Sequence, residues 1–203
     1  SFLAKEKFNQ KTALGMYVPN SYEFYWNSTG EDFRDKMLAE YHRFWTDKRI
    51  KKAKDLNLTK TQVIALASIV QKETAKVTER PMVAGLYLNR IKRRIPLQAD
   101  PTIIYALKEK YGQEFTVKRV LLKDLKIKSP YNTYINRGIP PSLIAMPDIS
   151  SIDAVLFSTK HNYIYMCAST EKIGFHAFAT TLRKHNINAA KYHRWMNQQG
   201  INR

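Results

Sequence analysis

Between Thr59 and Glu73 the chain reads "TKTQVIALASIVQKE", where Val63, Leu66, Ala67, Ile69 and Val70 recur at the spacing of one helical face. Thr59, with Gln62 three residues on, fits a capping box at the start of that helix. Phe33, Met37, Leu38, Tyr41 and Trp45 form a similar stripe and predict helix from Glu31 to about Leu56, with the basic run Lys48 to Lys54 at its end. "TERPMVAGLYLNRIKRR" predicts a further helix, with Thr78 as N-cap and Pro81 in the first turn. "IPLQADP" is short and bounded by proline, so it reads as extended, and "TIIYALKEKYG" reads as a helix closed at Gly112. "DISSIDAVLFS" is helical, "NYIYMCAS" and "GFHAFA" alternate as strands, and a basic amphipathic helix runs from about Thr180 to Gln198. Helices first and a hairpin later predict an α+β fold, a helix-rich domain with a small β-sheet or hairpin. Residues 1–30, rich in aromatics and turn formers, read as an extended lead-in to a domain over 31–203.

Charge narrows the partners. Thirty-four Lys and Arg against 17 Asp and Glu leave +17, which favours an anionic polymer or surface without saying which. No helix-turn-helix, RRM, KH or zinc-finger signature accompanies it, and the basic residues are dispersed, so nucleic acid is not the expected partner. The lone Cys167 excludes an intrachain disulfide framework and a cysteine-rich zinc site. His161, His185 and His193 stand at no metal spacing, no Walker or dinucleotide glycine pattern occurs, and Ser68 lacks a G-x-S-x-G context, so neither a metal nor a cofactor is expected. No apolar run reaches the length of a transmembrane helix. Because the chain begins at Ser1 and not Met, a segment that could carry an anchor is expected to precede it.

The candidate chemistry starts at Glu73, which follows Val70 by three residues and Ile69 by four and so continues the buried face. Desolvation and the negative end of the helix dipole would both raise its pKa, as a general acid requires. A structural pairing with Lys72, Lys76 or Arg80 is the alternative. Around the Pro-bounded turn, Asn89, Arg90, Gln98, Asp100 and Thr102 gather hydrogen-bonding groups, with Asp100 expected to cap the following helix ahead of Pro101. The long loop "SPYNTYINRGIPPS" puts Tyr131, Asn132, Thr133 and Tyr134 together, a mixture suited either to stacking on a sugar or base or to packing the loop on the core. His176 reads as a hydrogen-bonded structural residue.

"LASIVQKE", "ERP", "NR", "LQADPT", "YNTY", "GIPP" and "GFHAF" occur in the order of the endolytic murein transglycosylase family, also called MltG or YceG-like, which the chain resembles over nearly its whole length. "YVPNSYEF" is similar to that family's segment ahead of the catalytic helix. Two positions depart from its pattern: Gln71 stands where "SIVEKE" has a first glutamate, and Ala99 replaces the threonine of "LQTDPT". The resemblance implies cleavage of the MurNAc-β-1,4-GlcNAc bond within peptidoglycan by the substrate's own C6 hydroxyl, leaving 1,6-anhydroMurNAc. Glu73 would serve first as acid and then as base, in place of the two carboxylates of a hydrolase. Gln98, Tyr131, Asn132, Thr133 and Tyr134 would position the sugars. Glu79, Asn89, Arg90, Asp100 and Thr102 would support the site. The implied setting is the extracytoplasmic face of the bacterial inner membrane, behind an N-terminal anchor, with glycan strands, the anionic membrane surface and cell-wall synthases as partners.

Overall fold

Three threonines start the first three helices. In the computed structural model, which describes residues 8–117 and 119–200, Thr29 opens α1 (Gly30–Phe44) through a capping box with Asp32. Thr46 opens α2 (Asp47–Asp55) by accepting from the Arg49 amide. Thr59 opens α3 (Lys60–Glu73) through the expected box with Gln62. The single helix expected from Glu31 to Leu56 is therefore two. Thr46 is extended, at φ −62° and ψ 161°, and its hydroxyl offers the next amides a better start than continuation would. A bidentate pair from Arg49 to Asp153, with both contacts at 2.9 Å, then ties α2 to α6 (Ile149–Leu156).

Helix α3 is buried on more than a stripe. All eight residues from Val63 to Val70 are buried, because α4 (Arg80–Lys92), α5 (Asp100–Tyr111) and α6 all pack on it. A helix covered on every side stands at the centre of a fold, and its end can be placed accurately. Lead-in residues Met16 and Val18, which flank the end of a 3-10 turn at Ala13–Met16, join this core. The lead-in residues before Phe8 lie outside the described part.

Two helix starts differ from the sequence reading. Thr78 is not an N-cap: a 3-10 turn spans Val77–Glu79 and α4 begins at Arg80 with Pro81 in its first turn. Glu79 takes the cap position but makes no capping bond, since both its carboxylate oxygens are turned to His176. Asp100 does not cap α5 either. Ala99 holds the cap position with no side-chain bond, and Asp100 is the first helical residue, with its side chain turned to Tyr134.

Strands β1 (Tyr165–Ala168) and β2 (His176–Ala179) form an antiparallel hairpin in which Tyr165 faces Ala179 and Ala168 faces His176. Helix α7 (Leu182–Gln198) packs across it. The segment entering the hairpin runs against α4 at Gly85, where a Cβ would lie 2.4 Å from the Thr159 carbonyl oxygen and 2.7 Å from His161 Nε2. Only glycine allows that approach. The architecture is the α+β, helix-rich arrangement with one small hairpin that the pattern of elements predicts.

Candidate active site

Where α3 ends, the chain leaves the core and Glu73 stands half-buried at the wall of a cleft of about 410 Å³. Helices α3 and α4 build one side with Glu73, Leu86, Tyr87 and Arg90, and the hairpin and α7 build the other with Tyr165, Met166, His176 and His185. Gln98, Asp100 and Tyr134 lie between them.

The bonded partner of Glu73 is none of the cations considered for it. Tyr87, a residue only 1% exposed, donates its hydroxyl to Glu73 Oε1 at 2.6 Å, while Arg80 is turned to Asp148 at 2.7 Å. Burial pushes the Glu73 carboxyl up to about 7, with the nearby Asp100 charge acting in the same direction. The Tyr87 hydrogen bond and the charge of His176 pull against that rise without cancelling it. The Tyr87 bond also engages one carboxyl oxygen, which leaves Oε2 to exchange a proton with whatever fills the cleft.

Arg90 organises the floor. Its guanidinium, on a residue 6% exposed, donates to the Pro96 carbonyl at 2.8 Å, the Ile164 carbonyl at 2.9 Å and Gln98 Oε1. The bond to Gln98 holds that residue in a left-handed conformation, φ 52°, that non-glycine residues seldom adopt. Tyr134 donates to Asp100 Oδ1 at 2.5 Å, and burial followed by this carboxylate pushes the phenol well up. Glu79 lies behind the wall, its side chain 5% exposed, accepting from the His176 amide at 2.6 Å and from His176 Nδ1 at 2.9 Å.

Of the residues singled out in the sequence, Glu73, Arg90, Gln98, Asp100, Tyr134 and His176 meet at the cleft. Tyr131, Asn132 and Thr133 do not reach it, being only 2%, 0% and 2% exposed. Tyr131 bonds Ser142, Asn132 holds the Leu125 and Ile127 carbonyls, and Thr133 bonds the Ala99 amide and Thr102. Their polar side-chain atoms are engaged inside the protein. They pack the loop that presents Tyr134. Thr102 is buried in the same network, donating to the Ala99 carbonyl at 2.7 Å. Asn89 reaches from α4 to the carbonyls of His161 and Tyr163, at 2.7 and 3.0 Å, and so anchors the strand entry.

Gln71 is also away from the cleft. Its Oε1 accepts from the Asp148 amide at 2.6 Å and from Ser151, and its amide nitrogen donates to the Met146 carbonyl at 3.1 Å. Sequence reading passed over Tyr87 and Tyr165 and weighed His185 only as a metal ligand. No motif marks them, although a buried tyrosine hydroxyl such as that of Tyr87 needs a partner and thereby points to one.

The chain is similar to known proteins in sequence and in fold. The model of the YceG-like family matches residues 2–191. A Bacillus subtilis protein named "Endolytic murein transglycosylase" is 32% identical over 178 residues, covering 88% of this chain and 47% of its own length. A Streptococcus pneumoniae protein of the same name is 32% identical over 182 residues, covering 88% of this chain and 32% of its own. The chain therefore spans about half or less of these relatives. A crystal structure of a putative YceG-like protein from Listeria monocytogenes superposes with a TM-score of 0.69 at 29% identity, covering 85% of this chain and 53% of that one. A family model that spans nearly the whole chain, relatives above 30% identity and a shared fold lead to one conclusion: the chain belongs to the YceG-like family.

Proposed function

We propose that this chain is the catalytic portion of an endolytic peptidoglycan lytic transglycosylase that cleaves the MurNAc-β-1,4-GlcNAc bond and leaves 1,6-anhydroMurNAc ends. The observation that carries the reading is Glu73, a carboxyl held at about 7 on a cleft wall and oriented by Tyr87. An acid in that range keeps its proton near neutrality and can deliver it to a departing glycosidic oxygen. As the C1–O4 bond breaks, O4 takes that proton. The C6 hydroxyl oxygen then bonds C1, and its own proton passes to a base, for which the Glu73 carboxylate is available. No water is consumed.

The net charge of +17 suits a polymer whose peptide stems carry carboxylates, and the anionic inner-membrane surface beside it. On this reading the chain acts outside the inner membrane on strands leaving the cell-wall synthases. Among the described residues no helix is long and apolar enough to cross a membrane. Asp100 gives a second reading some weight, since it is another cleft carboxylate and a hydrolase would need two.

Digestion of purified sacculi with mass spectrometry of the products separates the possibilities. The protein should yield anhydro-ended fragments, Glu73→Gln should yield none, and the rate should fall as pH rises through about 7. Reducing ends would establish a hydrolase instead. Absence of cleavage by the unaltered protein would leave a glycan-binding scaffold.

A further inference from the structure

Lytic cleavage needs two proton transfers, and the cleft holds a second group built for one of them. The geometry points to His176 as the base that takes the proton from the C6 hydroxyl, with Glu79 as the residue that holds it. This inference rests on the lytic reading and changes only the acceptor of the second proton.

His176 opens β2 and lines the cleft with Glu73. Its side chain is 19% exposed, against 5% for Glu79, so the carboxylate lies on the protein side of the imidazole. Glu79 Oε1 accepts from the His176 backbone amide at 2.6 Å, which fixes carboxylate and strand together. Its Oε2 lies 2.9 Å from Nδ1. A carboxylate can only accept here, so Nδ1 carries the hydrogen, and the one-proton form of the ring has its lone pair at Nε2. Among the described residues Nε2 has no hydrogen-bond partner, and the exposed part of the ring borders the cleft.

A buried carboxylate that sets an imidazole's tautomer and stabilises its protonated form is the arrangement by which histidine serves as a base in acyl transfer. The other titratable groups at the cleft are placed differently. Glu73 starts as the acid, Asp100 accepts from Tyr134, and Arg90 is bonded to carbonyls and Gln98. The His185 ring, stacked on Tyr165 with its Nδ1 buried and without a hydrogen-bond partner, has no carboxylate among the described residues to set its tautomer. In the proposed step the C6 oxygen bonds C1 while its proton moves to Nε2, giving an imidazolium paired with Glu79. Glu73 gives its proton to O4 as the C1–O4 bond breaks. Transfer of the imidazolium proton to the Glu73 carboxylate then restores both groups.

His176→Asn tests this, because the asparagine amide can still donate to Glu79 Oε2 but offers nothing in place of Nε2. On sacculi, its kcat should fall about 10²- to 10³-fold with KM little changed. The same loss in His176→Ala should be partly restored by added imidazole. Wild-type turnover in His176→Asn, or a loss in KM alone, would overturn the assignment. Should His176→Asn fail to fold, the alanine variant decides, and absence of rescue by imidazole counts against the proposal. If the unaltered protein gives no anhydro ends, the lytic reading itself has failed, which is a distinguishable result.

Discussion

The two sides of the cleft are built on different principles. The helical side ends a segment whose eight central residues are buried, so the position of Glu73 follows from close packing of Val63, Leu66, Ile69 and Val70 at 0% exposure. The hairpin side has two four-residue strands with only Ala179 fully buried. A two-stranded hairpin is marginal alone, and this one is held by polar groups reaching from the helical side: Asn89 to the His161 and Tyr163 carbonyls, Arg90 to the Ile164 carbonyl, and Glu79 to His176. One wall is placed by apolar volume, the other by hydrogen bonds. Asn89 and Glu79 lie outside the cleft lining and act on it through the hairpin, whereas Arg90 also lines the cleft.

Breaking the clamp should have the largest effect on stability. Arg90→Leu strands the acceptors at Pro96, Ile164 and Gln98 in a buried place and should cost about 3 kcal/mol, read as a lower denaturation midpoint. Its signature should be hydrogen exchange that rises first in the hairpin and not in α3.

Removing the desolvated carboxyl on the helical wall should act in the opposite sense. Glu73 has a folded pKa of about 7 against an unfolded value of 4.5. As pH rises between them the unfolded chain loses its proton first, and stability falls, the loss being complete above pH 7. Glu73→Gln keeps an acceptor for Tyr87 and cannot ionise. It should match the wild type near pH 4 and exceed it at pH 8 by up to about 3 kcal/mol, as chemical denaturation at the two values would show. A variant less stable at pH 8 would mean that burial does not dominate at this carboxyl.

The smallest effect belongs to Gln71→Glu. A carboxylate there keeps the bonds from the Asp148 amide and Ser151 but loses the donor to Met146 and faces that carbonyl instead. The expected cost is about 1 kcal/mol, with turnover on sacculi unchanged because the side chain lies away from the cleft. A large change in turnover would tie the α3–α6 contact to the site more closely than its geometry suggests.

Helix identity was legible where side-chain chemistry is local. Thr59 with Gln62, and Gly112 at φ 104°, act within a turn of themselves and mark helix ends in any context. Pattern failed where a distant partner competes. Thr78 does not cap α4, which starts at Arg80 behind a 3-10 turn whose Glu79 is claimed by His176 from 97 residues away, and Asp100 does not cap α5, its carboxylate being claimed by Tyr134 from 34 residues away. The same limit applies to Tyr131, Asn132 and Thr133, whose composition suits a sugar site and loop packing equally, and which burial assigns to the loop.

By itself the sequence determined that a carboxylate would end a buried helical face at Glu73, because periodicity and capping are read within a few residues. Only the tertiary structure decided which groups surround that carboxylate. Tyr87 donates to it from the next helix, and His176 is turned toward the cleft by Glu79. Contacts between residues far apart in the chain depend on how whole elements pack, and no local pattern carries that information.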